Sequence, residues 1–464
     1  MTSKIFKNTI ILLILSSLVF VQAQQTDLWI TKLDKSILFE KQNQRLRFDY
    51  LKDDLPTIFV DDSKRFQTMD GFGFTLTSGS ATLINQLDRR AKDNLLKELF
   101  STDRNNIGVS YLRISIGASD LSDHAYTYND MPEGKTDSRL RRFSLEKEEK
   151  DLIPILKSII RINPEIKILG SPWSPPAWMK TNENLKGGSL KPQFYDEYAR
   201  YLVKYIEEMK REGIKIDAIT IQNEPLHPGN NPSLLMQASE QATFIKKYLG
   251  PEFRKANLST KIIIYDHNAD RPDYPISILN DRDANQYIDG SAFHLYGGNV
   301  EAIRDVYEAH PDKNLYFTEQ WIGHPSNFGG DMAWHVKNLI IGASRNWCKT
   351  VLEWNLAADA NQNPHTEGGC TACLGALTID NQEVSRNAAY FIIAHASKFV
   401  RPNSVRIASN VTMSLPNVAF RTPDNRIVLI VMNDDEKEIE FNIGFKEKKL
   451  RQKLGGKTVA TYVW

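Results

Sequence analysis

The runs AITIQNEP (residues 218–225) and NLYFTEQW (residues 314–321) each begin as an apolar strand and end in a carboxylic acid, Glu224 or Glu319. Charged groups are depleted inside strands, so both acids belong where the chain leaves its sheet. One glutamate in such a place is ordinarily a surface or salt-bridging residue. Two of them, each beside an amide and a ring, suggest a working pair. One carboxylic acid can give a proton to a leaving oxygen while the other attacks or activates water.

The other strand ends carry matching chemistry. VSYLRISIG is followed by Asp120, IKILGSPW brings Trp173, DGSAFHLY brings His294 and Tyr296, and KTVLEWN brings Trp354 and Asn355. Taken singly, His294 reads as a satisfied core histidine and Trp173 as packing. Together, flat apolar rings beside amides and acids suit a sugar, which has apolar faces and a polar rim. No run of His and Asp has metal-ligand spacing at these ends, so no metal is expected. A serine nucleophile is disfavoured because no GxSxG elbow occurs. Cys370 and Cys373 in GGCTACLG can form a disulfide or contribute to a metal site, though a lone CxxC lacks two further ligands. Cys348 reads as a buried apolar side chain.

Eight short apolar runs lie between residues 67 and about 355, separated by segments of 3.6-residue periodicity. In FYDEYARYLVKYIEEMKREG, Tyr198, Tyr201, Leu202, Tyr205, Ile206 and Met209 form one apolar face, and Gly213 marks a stop. NAAYFIIAHASKFVRP gives a last helix. Buried strands alternating with helices describe an α/β fold, a parallel (β/α)8 barrel, whose active site lies at the C-terminal ends of the strands. A doubly wound sheet is the rival, but DGFGF lacks the helix start of a dinucleotide fingerprint.

The flanks read differently. After Ser404 strands follow one another without helices, and Ile439, Phe441 and Ile443 alternate with polar residues. KEKKLRQK reads as part of a solvated hairpin. DLWITK, RLRFDY and TIFV supply strand patterns near the N-terminus. The expected organisation is a signal peptide over 1–23, N-terminal strands over 24–64, a catalytic barrel over 65–400 and a C-terminal sandwich over 401–464. Both ends would then form one antiparallel β-sandwich. Lys4, Lys7, the apolar run Ile10 to Val21 and Ala23 have the secretory pattern, so export with cleavage near Ala23 is expected, and no stable membrane span. Lys+Arg at 58 against Asp+Glu at 57 leaves no basic excess for a nucleic-acid partner.

Five motifs in order, SPWSPPAWMKTN, NEP, FHLY, TEQW and EWNLA, resemble glycoside hydrolase family 30, which includes glucosylceramidases and β-1,6-glucanases. The resemblance runs from about residue 66 to the C-terminus. It implies a retaining hydrolase that works by double displacement, with Glu224 as acid/base and Glu319 as nucleophile. It further implies that Asp120, Trp173 and Asn223 hold the terminal sugar, that His294, Tyr296 and Trp354 line the pocket, and that no cofactor is used. The expected substrate is a β-glucan, foremost a β-1,6-linked one. A glucosylceramidase-like β-glucosidase is the alternative, and a catalytically silent carbohydrate-binding barrel the alternative from another class. Phe74 and Ser78 depart from the lysosomal type, and NPHTEGGCTACLGALTID is more similar to bacterial members. Neither the oligomeric state nor exo against endo action follows from the sequence.

Overall fold

The computed structural model describes residues 26–412 and 414–464, so the signal-peptide pattern lies outside the described residues. Eight strands close into a parallel barrel: β1 (Gly71–Thr75), β2 (Tyr111–Ile116), β3 (Lys167–Pro172), β4 (Ala218–Thr220), β5 (Lys261–Asn268), β6 (Ile288–His294), β7 (Asn314–Glu319) and β8 (Cys348–Glu353). They coincide with the eight apolar runs. Their residues are buried on both faces because helices cover the outside and side chains fill the inside. Tyr111, Leu169, Ile263, Tyr316 and Leu352 are part of an inner layer to which seven of the strands contribute. Outside it, the helix Tyr195–Arg211 buries the six residues of its expected face, and Gly213 follows at φ +79°. Such a left-handed turn suits glycine.

Both chain ends build the second domain. Strand Asp27–Lys32 pairs antiparallel with the last strand, Thr458–Val463, and strand Thr57–Thr68 pairs antiparallel with Val405–Ser409 but in parallel with Ile439–Phe445, so the domain departs from a wholly antiparallel one at this pair. Thr57–Thr68 runs four residues beyond position 64. KEKKLRQK supplies a turn and the strand Lys448–Leu454, which pairs with Ile439–Phe445. RLRFDY forms no continuous strand, only single pairings of Leu46 with Thr26 and Asp49 with Lys449. Its arginines at 45 and 47 and Tyr50 stay exposed, so little burial drives pairing there.

The helix Ala388–Ser397, buried at every residue, lies between the barrel and this sheet. His395 bonds Thr461 Oγ1 at 2.9 Å and Thr31 Oγ1 at 2.8 Å, which ties the helix to both chain ends. Burial pushes this histidine down to about 3, so the tie is made by a neutral ring.

Close strand approach sets one strict requirement. A Cβ on Gly73 in β1 would lie 1.9 Å from the backbone oxygen of Tyr111 in β2. Gly73→Ala therefore forces two barrel strands apart and is expected to cost about 1–3 kcal/mol. Thermal unfolding of purified protein measures this; an unaltered melting temperature would contradict the packing described.

Candidate active site

Three strand ends are turned so that their polar groups meet over the barrel. After β4, Asn223 N–H donates to Pro172 O at 2.8 Å and Glu224 N–H to Asp266 O at 3.0 Å. The segment beyond the strand is thus tied to both neighbours. Glu224 takes φ +45°, an uncommon value for a residue with a side chain and one that active sites retain. Pro225 then cannot donate to a ladder. In β5 the pairing register shifts between Tyr265 and His267, and both Tyr265 and Asp266 have positive φ. Ile263 points into the barrel; simple alternation would send Tyr265 the same way. The bulge sends Asp266 inward instead.

Asp266 accepts five hydrogen bonds. Its Oδ2 takes Arg113 Nη2, Ser171 Oγ and Thr220 Oγ1, each at 2.8 Å, and its Oδ1 takes Thr318 Oγ1 at 2.7 Å and His294 Nε2 at 3.2 Å. Burial opposes ionisation, but Arg113 and His294 win and hold the carboxyl well below its usual range. Arg113, wholly out of water, extends this network to the mouth. Its Nη1 donates to Glu319 Oε2 at 2.5 Å and its Nη2 to Asn223 Oδ1 at 2.6 Å. With its oxygen engaged, Asn223 turns its NH2 donors toward the cavity.

Glu319 has both oxygens occupied, since the Tyr296 hydroxyl donates to Oε1 at 2.9 Å. Glu224 receives only His294 Nδ1, at 3.1 Å on Oε1. Its Oε2 meets no protein donor among the described residues. Burial competes with the charges of Glu319 and Asp266 at His294, and the acids win, raising it to about 9. The ring is then an imidazolium donating from both nitrogens. Two cations, Arg113 and His294, face three acids, Asp266, Glu224 and Glu319, with Asp120 close by as a fourth, so the acids outnumber the cations and a proton on one glutamate relieves the excess negative charge. Burial raises Glu319; at Glu224 burial is again the largest influence, but the hydrogen bond and charge of His294, together with the neighbouring histidines, outweigh it and lower that carboxyl. The hydrogen bonds decide the placement. Arg113 and Tyr296 both require bare oxygens on Glu319, and the unpartnered Oε2 of Glu224 is where a proton meets no competing donor.

A nitrogen of His294 and one oxygen from each glutamate lie within 4.8 Å of one another. Folding thus assembles a set of metal-ligand types that the strand spacing did not suggest. Here, though, Nδ1 is protonated and Arg113 neutralises Glu319, so the cluster is balanced by protons and a guanidinium. The same limit puts one oxygen of Glu224 within 4.8 Å of one oxygen of Glu319, so both carboxyls can reach a single bond held between them.

The cavity above these groups has a volume of roughly 470 Å3. One wall is aromatic: Trp173 and Trp354 stack with ring centroids 5.4 Å apart, and Trp321 stands beside them. The Cys370–Cys373 disulfide closes that wall, which settles the choice between a bridge and a metal site for these two cysteines. Asp120 also lines the cavity; burial, then the charges of Glu319 and Glu224, push it up to about 7. Seven of the eight residues given a role at the site from sequence line the cavity, while Asn355, also noted at a strand end, is fully buried away from it and accepts from Ser80 Oγ at 3.1 Å. His294, the eighth, does not line it. It is fully buried beneath the glutamates, where sequence alone could not fix its depth. The groups that went unnoticed are Arg113, Asp266, His267 and Trp321. A lone arginine in YLRISI and a lone aspartate in IIIYDHN were the available signals, since an unpaired charge in a buried run needs a partner.

Comparison with known proteins agrees with this arrangement. Residues 69–400 match the glycosyl hydrolase family 30 TIM-barrel domain, and residues 403–462 match the beta sandwich domain of the same family. The chain is 34% identical over 434 residues to the endo-1,6-beta-D-glucanase neg1 of Aspergillus fumigatus, covering 87% of each. It is 30% identical over 397 residues to the putative glucosylceramidase 2 of Caenorhabditis elegans, covering 81% of this chain and 76% of the relative. Among solved structures, the endo-beta1,6-glucanase BT3312 superposes with a TM-score of 0.87 at 35% identity, covering 95% of this chain and 99% of the other. With its barrel, its sandwich and its pair of strand-end glutamates, the chain belongs to glycosyl hydrolase family 30 and is a glycoside hydrolase.

Proposed function

We propose that the protein hydrolyses β-1,6-linked glucan with retention at the anomeric carbon. The observation that carries this reading is the unequal surroundings of two close carboxyls. Glu319, bare and held by Arg113 and Tyr296, attacks the anomeric carbon. Glu224, protonated on its free oxygen, gives that proton to the leaving oxygen. A glycosyl ester forms on Glu319; Glu224, now a base, then takes a proton from water, which opens the ester. Asn223 offers its amide to the sugar 2-hydroxyl, a contact that strengthens as positive charge develops at the ring. Asp120 receives the outer hydroxyls, and Trp173 and Trp354 cover the apolar face.

The β-1,6 linkage rests on similarity to proteins named as endo-1,6-β-glucanases, at 34% and 35% identity over most of both chains. The glucosylceramidase reading has its own support in the 30% identical nematode relative. Among the described residues no helix is long and apolar enough to cross a membrane. The N-terminal pattern over residues 1–23 supports export, and a disulfide suits an oxidising compartment. The loop over residues 363–380 supports a bacterial source. The reading calls for no nucleic acid and no cofactor.

The substrate assignment is tested by kcat/KM on gentio-oligosaccharides, laminarin and glucosylceramide side by side. Gentio-oligosaccharides are expected to lead by about tenfold or more. A lead for glucosylceramide would replace the assignment with the alternative.

The separate glutamate roles predict opposite rescues. With an aryl β-glucoside whose phenol is acidic, Glu224→Ala should still form the ester but stall in its hydrolysis, losing about 10²–10⁴-fold in turnover. Azide needs no general base and should restore turnover, giving the β-glucosyl azide. Glu319→Ala with azide should give the α-azide. Anomers found the other way round would exchange the roles.

Because protons and a guanidinium balance the site, EDTA should leave the rate unchanged. Loss of activity that one divalent ion restores would show that the His294–glutamate set holds a metal.

A further inference from the structure

The two walls of the cavity differ in kind. Beside the aromatic wall the lining is polar, built from the loop that carries the proton donor and the strand next to it: His227 and Asn230 in the loop after Glu224, and His267 and Asn268 at the end of β5, whose Asp266 carbonyl accepts from Glu224 N–H at 3.0 Å. In double displacement the nucleophile and the leaving group lie on opposite sides of the anomeric carbon, and the proton donor touches the leaving oxygen. The wall beside Glu224 therefore faces the leaving group.

His267 is the informative member. Its ring lies 6.4 Å from that of His294, which itself bonds Glu224. It lines the cavity, is only 7% exposed, and its buried Nδ1 has no partner. Neither ring nitrogen is hydrogen-bonded to protein among the described residues. Burying such a group unpaired costs stability, so its place at a cavity edge points to a partner arriving with the ligand. Burial pushes the ring down to about 4, which leaves it neutral with one donor and one acceptor. That combination matches a hydroxyl, which both gives and takes a hydrogen bond. Asn268 is prepared likewise: its Oδ1 accepts from Tyr296 N–H at 3.0 Å, leaving the amide N–H groups for the cavity.

We propose that His267 and Asn268, with the His227–Asn230 loop, form the leaving-group subsite, and that this subsite takes a hydroxylated leaving group, a sugar or oligosaccharide, in preference to an alkyl chain. The proposal rests on Glu224 as proton donor and deepens the function given above. The same subsite receives an acceptor in the reverse sense. The bond from the anomeric carbon to Glu319 breaks, a bond to the acceptor oxygen forms, and Glu224 takes the acceptor's proton.

Two substrates with one glycone isolate the subsite: β-glucosyl fluoride, whose leaving atom bears no hydroxyl, and gentiotriose. His267→Leu should lose about tenfold more in kcat/KM on gentiotriose than on the fluoride. His267→Gln, whose amide also gives and takes, should recover most of that difference, and the pH limbs measured on the fluoride should not move. Equal losses on both substrates, or a moved limb, would make His267 a support of Glu224 and overturn the proposal. If wild-type protein turns over the fluoride but not gentiotriose, the β-1,6 reading fails and the subsite is decided by transfer from the fluoride. Transfer to methyl β-glucoside that falls in His267→Leu supports it, and a wild-type preference for hexanol overturns it. No turnover of the fluoride by wild type removes the glucosyl-enzyme step on which the subsite depends, and the subsite with it.

Discussion

A guanidinium with no access to water stands at the centre of this barrel, and its need for partners organises the site. A buried unpaired charge costs far more than folding can supply, so Arg113 has to be met by acids and carbonyl-type oxygens in fixed positions. It finds Asp266, Glu319, Asn223 and Ser171 on four other strands or their ends. Each contact has a chemical consequence. The bond to Glu319 favours a bare carboxylate, and the bond to Asn223 decides which end of an amide faces the cavity. Asp266 in turn fixes His294 and so reaches Glu224. Removing either end of the Arg113–Asp266 pair would leave the other charge buried and unpaired.

The same network explains polar residues in strands that otherwise read as apolar. Ser171, Thr220 and Thr318 lie on β3, β4 and β7, and all three bond Asp266. The threonine in AITI is thus a ligand of a carboxylate in the neighbouring strand. Five donors on one carboxylate, supplied by five strands, make a rigid support beneath the two glutamates. That rigidity fits a reaction whose charges must be met by groups already in place.

Much of this was legible in advance, for identifiable reasons. Eight runs buried on both faces announce a parallel barrel, and a glutamate closing an apolar run announces a strand-end acid. Arg113 and Asp266 were not legible because they sit within such runs and are 153 residues apart, so neither shows its partner. The bulge in β5 hid the inward direction of Asp266, since strict alternation points Tyr265 there. His294 was recognised as a site residue but placed at the surface of the pocket, whereas its depth depends on how far β6 reaches. RLRFDY had the composition of a strand and lacked the burial to form one.

The account turns on Glu319 as the residue that becomes covalently bound. A slow substrate, 2-deoxy-2-fluoro-β-glucosyl fluoride, should trap the ester, because the fluorine at position 2 slows both steps while the good leaving group preserves the first. Intact-protein mass spectrometry followed by peptide mapping should place one fluoroglucosyl group on Glu319, and Glu319→Gln protein should take up none. A label on Glu224 or Asp120, or turnover of an aryl β-glucoside with an α-configured first product, would contradict it.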